Sequence, residues 1–175
     1  MEISEAFEMI RDADIDPSRP SAWADLGCGS GIFTHALARV RPEESLIYAV
    51  DKSNRFVPVN GLHGRTILFI KSDFENDDLS FPGLDGILMG NSLHYVRDKD
   101  AFIKKLIRIQ PGLTTFIIIE YDITVSNPWV PYPVDFPGLK KLFSQNGFSG
   151  VVKLAERRSL FRRGNLYACS LKKTG

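Results

Sequence analysis

Apolar residues along this chain fall either into short unbroken runs or into stripes at helical spacing. Ile3, Phe7 and Ile10 recur at helical intervals, which predicts an amphipathic helix over residues 3–12. Asp16, Pro17, Ser18, Arg19 and Pro20 break it. Ala22–Leu26 is a brief apolar run, expected as a buried strand, and a helix through Phe33, Leu37 and Val40 follows, stopped near Pro42. Residues 46–50 predict a second strand ending at Asp51. The next segment holds Pro58, Gly61 and Gly64, so its helix is expected to be short.

Residues 66–70 and 86–89 predict a third and a fourth strand. Asp98 and Asp100 open a helix whose stripe is Phe102, Leu106 and Ile109, with acids where the helix dipole favours them and Gly112 at its close. The β-rich run 113–120 predicts a fifth strand. Pro128, Pro131 and Pro133 mark a loop. Leu139, Leu142 and Phe143 then mark a helix between Pro137 and Gly147. Residues 149–155 and 165–171 predict two last strands with no helix between them, hence an antiparallel hairpin. The alternation before them implies an α/β fold, a mostly parallel sheet with helices on both faces. No repeat or composition shift divides the chain, so residues 1–175 are expected as one domain, with 1–21 an N-terminal helix and linker.

Composition narrows the class. Hydrophobic residues are 43% and charged residues 25%, near the globular average. The net charge of +1 creates no global field for nucleic acid or membrane. The one local exception is a late basic cluster, Arg157, Arg158, Arg162, Arg163, Lys172 and Lys173, read as a solvated surface on the final strands. Cys28 and Cys169 are too few and too distant for a disulfide framework or a metal site, and read as reduced thiols. The acidic start M-E-I-S-E lacks the bases of a signal peptide, and no apolar run approaches the ~20 residues of a membrane helix. A cytoplasmic location without membrane association is expected.

The sharpest chemical signal is A-D-L-G-C-G-S-G at residues 24–31, between a strand and a helix. Glycines there let the backbone approach a ligand, and the helix start offers unpaired N–H groups. The spacing is G-x-G-x-G. A G-x-G-x-x-G fingerprint would need glycine at Ile32 or Thr34, which disfavours a dinucleotide, and no G-K-[ST] follows to make a phosphate-binding loop. Asp25, just before the loop, would repel a pyrophosphate and attract an ammonium group.

These residues resemble the class I S-adenosylmethionine-dependent methyltransferases, most nearly the small type 11 group, over about residues 23–171. The resemblance implies a Rossmann-like, doubly wound, seven-stranded sheet and S-adenosylmethionine as cofactor. It places the methionine part at Asp25, Gly27, Cys28, Gly29 and Gly31. It places the ribose at Asp51 beside Lys52, and the adenine amino group at Asp73 beside Phe74. The stretch N-S-L-H-Y-V, Asn91, Ser92, Leu93, His94 and Tyr95, would line the cofactor and substrate pocket. One carboxylate suits two vicinal hydroxyls, and an Asp can accept from the adenine amino group.

A sulfonium methyl is already activated, so alignment of the acceptor can carry much of the rate, up to ~7–11 kcal/mol in well-oriented systems. His94 is the candidate general base, because imidazole titrates near neutrality; Tyr95 and Tyr121 are candidates to orient an acceptor. Glu120, Tyr121 and Asp122 end the fifth strand and are substrate-side candidates. His35 and His63 read as structural or exposed, and no ligand spacing suggests a metal. N-P-W-V-P-Y-P at 127–133 resembles the N-P-P-Y motif of amide and adenine methyltransferases but lies after the wrong strand. It reads as a stiff loop with Trp129 and Tyr132 near the substrate mouth.

The expected function is therefore methyl transfer to an unidentified small or medium-sized acceptor. A non-catalytic S-adenosylmethionine-binding module or subunit is the first alternative, and an RNA or protein methyltransferase the second, though nucleic acid is not the expected partner. Only about 20 residues precede the first strand. An open pocket is thus expected, covered by the substrate, a homodimer or a partner subunit.

Overall fold

The computed structural model describes residues 1–58, 64–158 and 164–174. Gly61, His63, Arg162 and Arg163 lie outside the described residues. The elements run α1 (Ile3–Ile10), β1 (Ala22–Leu26), α2 (Ile32–Val40), β2 (Leu46–Asp51), β3 (Thr66–Lys71), β4 (Gly86–Gly90), a 3₁₀ turn at Leu93–Tyr95, α3 (Lys99–Ile109), β5 (Thr115–Tyr121), α4 (Phe136–Gln145), β6 (Gly150–Arg158) and β7 (Asn165–Lys172). The short helix expected after β2 does not form over residues 52–58, where Pro58 and the bonds of Asp51 to Ser53 hold an irregular turn. The last hairpin's first strand extends to Arg158, beyond the apolar run that predicts it, because its outer positions pair with β7 as far as Asn165.

The seven strands form one sheet in the order β3-β2-β1-β4-β5-β7-β6. The first five are parallel; β7 runs antiparallel between β5 and β6. This is the Rossmann-like, mostly parallel α/β sheet with a C-terminal antiparallel hairpin. Alternate residues of each strand enter opposite layers. Leu26, Val50, Ile87, Met89, Phe116 and Ile118 pack with Phe102, Leu106, Leu139 and Phe143 of α3 and α4. Trp23, Ile47, Leu88, Ile117 and Ile119 pack with Met9 and Ile10 of α1 and with Phe33 and Leu37 of α2. Burial on both faces explains why β1, β2, β4 and β5 read as unbroken apolar runs.

Side-chain caps set the helix starts. Asp98 accepts from Ala101 N at 3.0 Å, and Asp135 accepts from Gly138 N at 3.0 Å. The N-terminal segment is tied to the hairpin through charge. Arg157 donates to Glu5 at 2.5 Å and Lys172 to Asp14 at 2.5 Å. Two members of the basic cluster are thus ion-paired at the surface, with side chains still 31% and 39% exposed. The Arg157 guanidinium, with a bond from the Glu2 backbone, holds the Glu5 carboxyl down at about 2.

Candidate functional site

The strand order reverses between β1 and β4, and chain connections leave the sheet there in opposite directions. The crevice at the carboxyl ends of such strands is where open α/β sheets bind ligands. A cavity of about 540 Å³ opens at this place. Its wall includes the glycine loop from Gly27 to Ser30, Asp51 at the end of β2 with Lys52 and Ser53 after it, Asp73 and Phe74 after β3, and Asn91, Ser92 and Tyr95 after β4.

The glycine loop is shaped by what surrounds it. Gly27 and Cys28 both donate to Val50 O, at 2.8 and 3.0 Å, so the loop hangs from the end of β2. Gly27 has φ +85°, and a Cβ there would lie 2.5 Å from Ser92 Cβ. Only glycine lets the loop turn this tightly against the segment after β4. Gly29 has φ +55° and open space where a side chain would project, so its bare backbone forms cavity wall.

Asp51 joins loop and strand. Its Oδ2 accepts from Gly29 N at 2.8 Å, and its Oδ1 accepts from Ser53 N at 2.7 Å and Ser53 Oγ at 2.6 Å. Burial pushes its carboxyl up, but the Ser53 and Gly29 bonds outweigh this and hold it below the usual range. Asp73, also on the wall, accepts from Glu75 N at 3.1 Å and Asn76 Nδ2 at 3.1 Å, which hold its carboxylate in place. Asn91 follows β4 with φ +55°, unusual for a residue with a side chain, and its N donates to Ile119 O at 2.8 Å. Its Oδ1 is buried without a hydrogen-bond partner among the described residues. A strained residue holding an orphan acceptor on a cavity wall fits a ligand with a donor group.

Of the other candidate residues singled out in the sequence, Tyr95 reaches this wall and the rest lie off it. Gly31 is the N-cap of α2, packed against Phe56. His35 is buried, with Nε2 2.7 Å from Val57 O. His94 is buried, with Nδ1 2.7 Å from Glu120 Oε2; Glu120 is buried within β5 rather than standing at its open edge. Tyr95 lines the cavity with half its surface exposed, whereas Tyr121 is not part of the lining and its ring lies 6.3 Å from that of His94. Asp122 accepts from Phe136 N at 2.9 Å and so ties β5 to the start of α4. Trp129 and Tyr132 are exposed on the proline loop, where Tyr132 N donates to His94 O at 3.0 Å. The cavity also takes in Met1, Arg55 and Glu75, which come from irregular segments without periodicity to signal them. Among the described residues no cluster of His, Cys, Asp or Glu is placed to hold a metal, and no helix is long and apolar enough to cross a membrane.

Asp25 occupies a different position from that expected of a ligand-facing acid. It is buried beneath the loop and accepts from Thr34 Oγ1 at 2.5 Å. Burial raises its pKa to about 7, against the opposing Thr34 bond and with help from the Asp51 charge. A carboxyl with a raised folded pKa holds its proton longer than in the unfolded chain. Stability therefore falls as pH rises from the usual carboxylate range to about 7, and the penalty is complete above it. Asp25→Asn removes this titration. The variant should gain on the wild type between about pH 5 and pH 8 by an amount on the order of a few kcal/mol. Thermal melts across that range check this; parallel pH profiles would exclude a protonated Asp25.

Comparison with known proteins agrees with this architecture. A family model described as a methyltransferase domain matches residues 24–112, from β1 to the end of α3. No curated protein matches the chain in sequence. Among solved structures, the Burkholderia thailandensis 1,6-didemethyltoxoflavin-N1-methyltransferase, with S-adenosylhomocysteine and 1,6-didemethyltoxoflavin bound, superposes with a TM-score of 0.69 at 17% identity. That match covers 99% of this chain and 78% of the other. The magnesium protoporphyrin IX methyltransferase of Synechocystis, with S-adenosylmethionine bound, gives 0.63 at 17% identity, covering 98% and 77%. A putative S-adenosylmethionine-dependent methyltransferase from Listeria monocytogenes gives 0.65 at 13% identity, covering 98% and 100%. At these identities the structures speak for the fold, and the family match speaks for descent. The chain belongs to the methyltransferase-domain family and has the fold of the class I S-adenosylmethionine-dependent methyltransferases.

Proposed function

We propose that the cavity binds S-adenosylmethionine and that the protein transfers its methyl group to a small or medium-sized acceptor. The observation that carries this reading is the cavity wall itself. Within about 540 Å³ it joins a bare glycine backbone, the Asp51 carboxylate and the orphaned Asn91 Oδ1. The residues present fit the cofactor group by group. Asn91 Oδ1 lacks a donor that an ammonium group supplies. Asp51 offers about four acceptor sites, of which three are taken. The Ser53 hydroxyl can rotate away, so two ribose hydroxyls can be accommodated. Asp73 can accept from the adenine amino group, and Phe74 offers a face beside it.

When bound, the cofactor supplies a methyl carbon already activated by positive sulfur. The chain's own contribution is then orientation and exclusion of water. The Asp51–Gly29 bond sets the loop, the Asn91 turn sets the methionine end, and Tyr95 presents a half-exposed ring where an acceptor would enter. The neighbours named above include enzymes for a porphyrin and for a toxoflavin precursor, which supports a small-molecule acceptor. An RNA acceptor draws less support, because Arg157 and Lys172 are already paired with Glu5 and Asp14. Calorimetric titration tests the reading. Saturable binding of S-adenosylmethionine and none of NADH is expected; the opposite pattern would overturn it.

A further inference from the structure

Resting on that reading of the cavity, we infer that the acceptor is an apolar molecule without carboxylate, phosphate or ammonium groups, received where Ile32, Phe33 and Tyr95 line the wall. The lining is uneven in charge along the cavity. Its charged side chains among the described residues all come from the end of β2, the segment between β2 and β3, and the segment after β3: Asp51, Lys52, Arg55, Asp73 and Glu75. That is the part assigned to the nucleoside. The start of α2 and the segment from Gly90 onward make the other part. Among the described residues, neither of these two segments adds an Asp, Glu, Lys, Arg or His side chain to the lining.

The two parts are built on different layers of the fold. Phe74, beside Asp73, packs toward α3, with its ring 5.8 Å from that of Phe102. Ile32 and Phe33 belong instead to the layer of α1 and α2. Gly90 ends β4, and a Cβ there would lie 2.3 Å from Phe33 Cδ2, so the missing side chain makes room for the Phe33 ring. Gly90 is followed by Asn91, whose Oδ1 is the proposed partner of the cofactor's ammonium group. The apolar wall therefore adjoins the methionine end, which carries the methyl group. Ile32 opens α2 directly after the glycine loop. Tyr95 closes the 3₁₀ turn after β4 and is 54% exposed. Arg55 is held on the ribose side, where its Nε donates to Ser53 Oγ at 3.0 Å.

This wall selects as much by what it lacks as by what it offers. An apolar molecule gains by leaving water against Ile32, Phe33 and Tyr95. A carboxylate, phosphate or ammonium substituent would lose hydration there and meet no side chain of opposite charge. Discrimination against charged acceptors then follows without any clash. The Tyr95 hydroxyl can still orient an uncharged hydroxyl or ring nitrogen.

Three probes on one naphthalene skeleton test the inference. Neutral 2-naphthol, anionic 2-naphthoate and cationic 2-naphthylmethylammonium are each titrated by calorimetry at neutral pH into protein saturated with S-adenosylhomocysteine. 2-Naphthol is expected to bind about tenfold or more tighter than either charged probe. In Tyr95→Lys a cation stands on the wall, so 2-naphthoate should gain about tenfold relative to 2-naphthol. Tyr95 is exposed, and a thermal melt checks that the variant is folded. Ile32→Lys makes the same test from α2 and replaces it if Tyr95→Lys does not fold. Equal or tighter binding of a charged probe, failure of 2-naphthol to bind, or an unchanged preference in the folded variant would each overturn the assignment. Titration of S-adenosylmethionine keeps the two levels apart. Cofactor binding without the preference for 2-naphthol retains the methyltransferase reading and removes the acceptor class. Absence of cofactor binding overturns both.

Discussion

Asp51→Ala is expected to weaken S-adenosylmethionine binding by about a hundredfold or more, read by calorimetric titration. Hydrogen bonds to a charged group contribute about 1.5–3 kcal/mol each, and two ribose hydroxyls would lose theirs together. A second loss adds to the first. Asp51 Oδ2 holds Gly29 N, and its Oδ1 holds both the backbone and hydroxyl of Ser53. Without the carboxylate the glycine loop loses its tie to the end of β2 at the point where its backbone forms cavity wall. The side chain is partly exposed and the core does not rest on it, so the variant should melt close to the wild type. Ser53→Ala is the matching control. It removes the hydroxyl bond to Asp51 that must yield to a ribose hydroxyl, together with an exposed bond from Arg55 Nε, and keeps the Asp51 carboxylate, so its affinity should stay within a few fold. If Asp51→Ala binds as tightly as the wild type, the ribose site lies elsewhere and the cofactor assignment fails with it.

Gly86→Ala should be the most damaging small substitution for the fold, costing about 3 kcal/mol or more in denaturant titration. Gly86 stands directly opposite Trp23 across the β1–β4 pair. The Trp23 ring lies over it, and a Cβ would meet Cη2, Cζ3 and Cε3 at 2.3, 2.4 and 2.6 Å. The indole cannot retreat, because it is 1% exposed and its Nε1 donates to Ser21 Oγ at 3.1 Å. The backbone cannot yield either, since β4 is hydrogen-bonded on both sides, to β1 and β5. Trp23→Leu should itself destabilise by leaving space, but combined with Gly86→Ala the two costs should not add. A double variant less destabilised than the sum of the single ones, by about 1 kcal/mol or more, is the expected signature of shared space. Strict additivity would mean that the clash is relieved some other way.

Most of the elements were legible because local pattern decides them. β1, β2, β4 and β5 are apolar at nearly every position, as strands covered on both faces must be. The G-x-G-x-G loop sits between strand and helix, where only such a turn fits. Asp51 and Asp73 follow strands in the order that a nucleoside-binding crevice requires, and the structure brings both to one cavity. The end of β6 was not legible: its outer residues alternate weakly, and pairing with β7 carries the strand on to Arg158.

What a single sequence determines here is which segments are strands or helices, and which chemistry stands at their ends. Each depends on residues within a few positions of one another. The tertiary structure alone decided the insertion of β7 between β5 and β6, the pairing of Arg157 and Lys172 with the N-terminal segment, and the burial of Asp25 under Thr34. It also decided the meeting of His94 with Glu120 across 26 residues. Apart from the Asp25–Thr34 bond, which joins consecutive elements, these contacts link segments distant in the chain. A charged side chain looks the same in sequence whether it faces water or a buried partner. Only the packed fold settles whether it is desolvated, and so what its charge and protons do.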